Sequence, residues 1–263
     1  MLLLINEPKK EGIWEETSVM VLDILISSLI NARFGKHPTL WLISPWITDV
    51  KFNFKGRSTL SSLFIKSKRS IRLTEILQTY LNYGAELNII CRPPHELFDF
   101  NKIRLLLFLC QFSQPPSEFR EYTKYTLLGD ILAHKATIDF LYSITRASTQ
   151  CKPNIGYLEK LHSKIIYNGN HAIFGSSNIT HGGIYYNCEL NTIISERILL
   201  DKISCICNEL WKNSTTIKDY ASQDNFRKLM HFLEAAQNID PLIKELYNKI
   251  KWIHRQQIQN QIS

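Results

Sequence analysis

The chain has 263 residues, of which 44% are hydrophobic and 21% charged, and its formal net charge is +7. This is the composition of a globular protein long enough to bury a sizeable core, and it excludes fibrous, low-complexity and wholly disordered chains. The basic surplus favours polyanionic partners, nucleic acid or anionic lipid. It is also local: Lys51, Lys55, Arg57, Lys66, Lys68, Arg69 and Arg72 follow one another with no acid among them, and the remaining Lys and Arg equal Asp and Glu in number. Such a run is either a solvated loop or an electrostatic footprint for phosphates.

The opening run Met1 to Ile5 is too short for a signal-peptide core and meets Asn6, Glu7 and Pro8 at once. Val19, Leu22, Ile26 and Leu29 stand at helical spacing and predict a helix over 15–32, ended by Gly35, His37 and Pro38. The stretch 19–30 contains Asp23, Ser27 and Ser28 and is too short to span a bilayer. A β-rich run over 39–44 stops at Pro45, and the basic segment follows it. Next come a helix over 73–83 closed by Gly84, a buried strand over 86–91 ended by Arg92-Pro93-Pro94, and a helix over 100–112. A polar loop occupies 113–126, and 127–143 reads as helix leading into strand.

Beyond about Ser195 the pattern is helical, with Trp211 in one helix and Phe226, Leu229, Leu233, Leu242, Leu246 and Ile250 in later ones, Pro241 dividing the last two. Alternating strand and helix argue for an α/β fold. The six cysteines match no zinc pattern, and a chain of this size needs no disulfide framework, so they read as reduced thiols of a cytoplasmic protein.

The chemistry-bearing stretch is 161–194. Asn168-Gly169 between apolar runs is a hairpin signal for a two-residue type I′ turn, which pairs Tyr167 with Asn170, Lys164 with Ile173 and His162 with Gly175. His162 and Lys164 then share one face, across from Gly175-Ser176-Ser177-Asn178. An imidazole, a cation, a hydroxyl and an amide meeting at one strand end form a grip for phosphate. His171, His181, His95 and His37 have no such support and read as structural or exposed, with His181 near enough in sequence to line the pocket. Tyr185-Tyr186 suits either base stacking or packing on the sheet.

His162-x-Lys164, Gly175-Ser176-x-Asn178 and Asn187-x-Glu189 together resemble the phospholipase D superfamily, whose pattern is H-x-K-x4-D, G-S-x-N and N-x-E. Leu42 to Trp46 and Leu87 to Arg92 look like its first core strands, extending the likeness over roughly residues 15–212. One departure is plain: Gly169 stands where the family has its Asp, which the family uses mainly for structure. The resemblance implies a mixed β-sheet flanked by helices on both faces with a helical C-terminal extension, divided as residues 1–213 and 214–263.

It also implies phosphodiester hydrolysis through a phosphohistidine, with no metal or cofactor. His162 would be the nucleophile, Lys164 and Asn178 would hold phosphate oxygens, and Ser176 and Glu189 would orient the imidazole. A second histidine is needed to protonate the leaving oxygen, and His134-Lys135 is no second H-x-K, so a homodimer placing two copies of His162 together is expected. A single motif, modest length and basic charge favour a cytoplasmic nuclease for DNA or RNA, captured by Lys55, Arg57, Lys66, Lys68, Arg69 and Arg72, without membrane insertion. The resemblance extends to small nucleases of bacterial restriction and anti-phage systems, which act beside helicases or ATPases. The competing readings are a phospholipase-type lipid hydrolase using the same residues and a catalytically degenerate nucleic-acid-binding subunit of a defence complex.

Overall fold

Strands that are apolar on both sides must be covered on both sides, and the runs 39–44 and 86–91 are of that kind. The structure is a computed structural model that describes residues 2–6, 16–36, 39–53, 70–111, 126–147, 149–187 and 189–259. Its strands are β1 (Leu2–Asn6), β2 (Leu40–Ile43), β3 (Lys51–Asn53), β4 (Ser70–Arg72), β5 (Leu87–Cys91), β6 (Asn154–Tyr157), β7 (Ile165–Tyr167), β8 (Ala172–Gly175), β9 (Glu189–Ile194) and β10 (Thr215–Thr216). Eight of them form one sheet in the order β1-β9-β8-β7-β2-β5-β6-β10, and β3 and β4 form a separate ribbon. The β2–β5 and β5–β6 pairs are parallel and the other pairs of the sheet are antiparallel, so the sheet is mixed.

Side-chain alternation divides the core. Leu40, Leu42, Leu87 and Ile89 point to one face, where the helices Glu16–Arg33, Leu73–Asn82 and Lys135–Arg146 supply Leu25, Leu29, Ile76, Leu77, Ile138 and Leu141. Trp41, Ile43 and Ile90 point to the other, against Leu200, Ile203 and Cys207 of the helix Arg197–Lys212. Both faces are thereby buried, as the expected α/β class requires. The helix Leu73–Asn82 begins where Asp49 accepts from the Thr74 N–H at 2.9 Å and Glu75 accepts from the Arg72 N–H at 3.0 Å, satisfying donors that a helix start leaves open.

Several elements differ from the sequence reading. The stretch 127–143 does not turn into strand: 126–132 and Lys135–Arg146 are both helical, because Ile138, Leu141, Ile144 and Thr145 fall on one buried face at helical spacing. The next strand is β6, whose four residues include a glycine. The apolar start of the chain is an edge strand, β1, paired along β9 from Leu2↔Ile193 to Asn6↔Glu189. At the other edge β10 pairs Thr215 with Tyr157, and Ile217, Tyr220, Leu229, Leu246 and Ile250 join the core on the first face. No helix among the described residues is long and apolar enough to cross a membrane.

The last helix, Pro241–Gln259, is seated partly by His254. Its ring is 3% exposed, lies 4.3 Å from the Phe226 ring, and donates from Nδ1 to the Ile250 carbonyl at 2.8 Å. Burial pushes this imidazole down to about 4. The folded state therefore resists a proton that the unfolded chain accepts near pH 6.5. Stability is complete above that pH and falls as the pH drops from about 6.5 to about 4, by about 3 kcal/mol across the window. Denaturant midpoints measured from pH 7 to pH 4.5 should show this decline, and His254→Leu should flatten it.

Candidate active site

The site depends on how β7 and β8 are joined. The observed register is Ile165↔Phe174, Ile166↔Ile173 and Tyr167↔Ala172, so the loop spans 168–171 rather than two residues. Lys164 lies opposite Gly175, whose N–H donates to the Lys164 carbonyl at 3.3 Å. The expected pairings of Tyr167 with Asn170, Lys164 with Ile173 and His162 with Gly175 are each displaced by two residues. Because the displacement is even, every side chain keeps its face.

Asn168 is the cause. A type I′ turn needs positive φ at both central residues, and here Gly169 has it at +86° while Asn168 does not. Asn168 is wholly buried, and its amide donates to the Ile24 carbonyl at 3.3 Å, Ser27 Oγ at 3.1 Å and Ser28 Oγ at 3.0 Å. Its carbonyl oxygen accepts from the N–H groups of Asn170 at 3.1 Å and His171 at 2.8 Å. A side chain one position before the expected Asp thus closes the turn and fastens it to the first helix. Gly169 is free to supply only the left-handed backbone.

At the open end of this hairpin His162 is exposed and Lys164 is buried. Lys164 Nζ donates to the His162 carbonyl at 2.7 Å and lies 3.1 Å from His162 Nδ1. Burial holds the lysine ammonium below its usual range, with Glu189 opposing and Arg92 assisting. Ser176 Oγ donates to Glu189 Oε2, and Asn187 Nδ2 donates to Glu189 Oε1 at 3.3 Å. Ser176 Oγ also accepts from the Leu190 N–H at 2.9 Å, so among the described residues the trio is tied to itself and to β9 rather than to the imidazole.

Asn178 is held from below by residues that the motif reading missed. Ser44 Oγ, at the end of β2, donates to the Trp46 carbonyl at 2.8 Å, lies 3.4 Å from Asn178 Oδ1, and accepts from the Ile179 N–H at 3.2 Å. Buried Asn191 accepts from the Ser177 N–H at 3.3 Å and donates to Ser177 Oγ at 2.7 Å. A Cβ on Gly183 would meet the Asn178 carbonyl oxygen at 2.4 Å, so that glycine lets the short helix His181–Tyr185 lie directly against the loop. Only the strand-ending Ser44-Pro45 offered any sign of this in the sequence.

Around the site, the Arg92 guanidinium lies 5.4 Å from the Trp46 ring and its Nε donates to the Leu161 carbonyl at 2.9 Å. His134 stacks on Trp46 at 5.3 Å, and burial, aided by Arg92, lowers its affinity for protons. Exposed Tyr186 stacks on exposed His181 at 5.1 Å, next to Asn187.

Of the expected substrate-binding cations, Arg72 is described: it pairs with Asp49 at 3.2 Å and remains largely exposed. Lys55, Arg57, Lys66, Lys68 and Arg69 lie outside the described residues, as does His37. The ribbon from which this basic segment springs pairs Lys51 with Arg72. Its approach strand touches the site, because Ile47 bridges Ile179 and the Thr48 N–H donates to the Ile179 carbonyl at 2.9 Å.

Two substitutions test the turn. Asn168→Ala should cost about 2–3 kcal/mol, the penalty for stripping several buried polar groups of their partner. Gly169→Asp, which restores the expected acid, should cost about 1 kcal/mol because the residue must take a left-handed backbone. Denaturant unfolding of both variants reads these losses.

A family model described as "Cardiolipin synthase, PLD-like domain" matches residues 50–211. No curated protein matches the chain. Among solved structures, Nuc from Salmonella typhimurium, described as a phospholipase D family member, is similar at 12% identity over 82% of this chain and 97% of that one, with a TM-score of 0.43. NucT from Helicobacter pylori is similar at 10% identity over 82% and 97%, with a TM-score of 0.41. Phosphatidylserine synthase from Haemophilus influenzae Rd KW20 is similar at 12% identity over 97% of this chain and 46% of that one, with a TM-score of 0.45.

Proposed function

Because the chain belongs to the family of phospholipase D-like domains, we propose that it is a phosphodiesterase acting on nucleic acid, a nuclease that works through a phosphohistidine on His162. The observation that carries this reading is the His162–Lys164 pair, an exposed imidazole held 3.1 Å from a buried ammonium. The G-S-S-N loop lies across the hairpin from it.

A phosphate oxygen entering the site takes Lys164 Nζ away from Nδ1. The imidazole proton then moves to Nδ1 and the Nε2 lone pair is free for phosphorus. The N–P bond forms as the P–O bond to the leaving group breaks, while Lys164 and Asn178 hold the non-bridging oxygens where negative charge develops. The leaving oxygen takes its proton from His162 of a second copy, and that imidazole then deprotonates the water that hydrolyses the phosphohistidine. No bond in this sequence needs a metal ion. The Ser176–Glu189–Asn187 trio serves as an acceptor wall that steadies the imidazolium as charge arises. In this reading residues 1–213 carry the chemistry, and the described part of 214–263 supports it from the core on the first face of the sheet.

Two features support nucleic acid over lipid. The chain that leads into the basic run 51–72 is fastened to Ile179 through Ile47 and Thr48, and such a run of cations favours the phosphates of a polymer. The exposed Tyr186–His181 stack offers a face for an unpaired base.

Purified protein should cleave single-stranded DNA or RNA with EDTA present and leave phospholipid vesicles intact. Lipid hydrolysis without strand cleavage would replace the nuclease reading with a lipid one. His162→Ala should abolish turnover and retain binding, whereas equal function in the variant would mark a binding module. Tyr186→Ala should weaken single-strand binding about fivefold to tenfold, from the loss of one stacking face. Because Lys164 is held below its ordinary pKa, the alkaline fall in activity should begin below pH 10.5, and Lys164→Arg should move it upward.

A further inference from the structure

Apart from the reacting groups, one cluster among the described residues gathers metal-ligating side chains: His95, Glu96 and Glu159, whose ligand atoms all lie within 4.8 Å of one another. His95 and Glu96 sit on the helix Pro94–Leu97 at the exit of β5, and Glu159 follows β6, three positions before His162. We propose that these three residues form a zinc site that clasps the turn leading into His162 to the exit of β5.

The imidazole is prepared for such a role. Tyr220 OH lies 2.8 Å from His95 Nδ1, fixing the ring plane and leaving Nε2 for a ligand, which is the arrangement by which outer partners orient metal-bound histidines. Tyr220 is itself buried.

The spacing fits as well. Two ligands each about 2.1 Å from a tetrahedral zinc lie about 3.4 Å apart, and His95 Nε2 stands 3.4 Å from Glu159 Oε1. Glu96 is positioned by the Lys160 N–H, which reaches both its oxygens at 3.0 and 2.9 Å, while Arg92 approaches at 3.8 Å. Lys160 is the one described non-glycine residue with positive φ, at 56°. That backbone brings Glu159 and its own N–H back onto the helix that carries His95 and Glu96. Asn225 Nδ2, 3.4 Å from His95 Nε2, is the contact that zinc would displace. Glu159 is 55% exposed, which gives the ion a way in.

One imidazole with two carboxylates suits a borderline divalent ion rather than magnesium, which prefers oxygen ligands in an octahedron. The ion would hold the segment 159–161 at Glu159 while Arg92 holds it at the Leu161 carbonyl. It would stiffen the approach to His162 without touching phosphate.

Isothermal titration of the full chain, first stripped with EDTA, tests the site with zinc alone and magnesium alone. The expected result is one zinc per chain, little magnesium uptake, and a zinc-dependent rise in melting temperature. Glu159→Gln, at an exposed position, should keep the fold by circular dichroism, weaken zinc binding at least about tenfold, and abolish the melting shift. Absence of zinc binding by the unaltered chain, or equal binding by Glu159→Gln, overturns the proposal. Neither readout depends on catalysis, so the result stands apart from the fate of the nuclease reading.

Discussion

A single buried amide sets the geometry of this protein. Asn168 reaches from the β7–β8 turn into the first helix, donating to a backbone carbonyl and two serine hydroxyls while its oxygen gathers two N–H groups of its own loop. Burying an amide is unfavourable unless its donors and acceptors are met, and that requirement selects one loop length and one register. The register in turn puts Lys164 opposite Gly175 and so aligns the end carrying His162 with the loop carrying Asn178. Asn168, one position before the place where the resemblance expects an Asp, supplies the polar side chain that locks this turn. The candidate site residues His162, Lys164 and Ser176 sit at the other end of the same two strands.

Most of the frame was legible before any coordinates. The helices beginning near Glu16 and Leu73, the strands near Leu40 and Leu87, and the helical C-terminal third are long or strongly patterned, and they stand within a residue or two of their expected limits. What escaped was short or decided from a distance. The strand β6 is four residues with a glycine, β10 is two threonines, and β1 gains its partner from β9 more than 180 positions away. A run such as 138–145, apolar at several phases, was resolved by which face met the sheet. The H-x-K and G-S-x-N residues were readable as a set because their chemistry fixes their types. Ser44 and Asn191, which hold them, are ordinary polar residues whose importance appears only when the chain is folded.

Charge shows a similar division. The basic run and the candidate nucleophile are far apart in sequence, and composition alone gave no reason to connect them. The Ile47–Ile179 bridge joins their roots, because the chain leaving β2 passes alongside the loop that follows β8 before it enters the ribbon. The packed part of this junction, Ile47 and Thr48 against Ile179, thereby stands between the ribbon and the G-S-S-N loop.

Ser44 adds a mechanical consequence. Its hydroxyl donates to the Trp46 carbonyl and accepts from the Ile179 N–H, 3.4 Å from Asn178 Oδ1, at the end of β2 in the middle of the sheet. The loop that carries Asn178 is thereby mounted on a buried strand of the sheet instead of on a hinge. His162 and Tyr186, by contrast, are exposed side chains at the rim of this frame. A loop held in this way keeps its geometry through the packing of the sheet, so that exposed side chains above it can change rotamer without moving it.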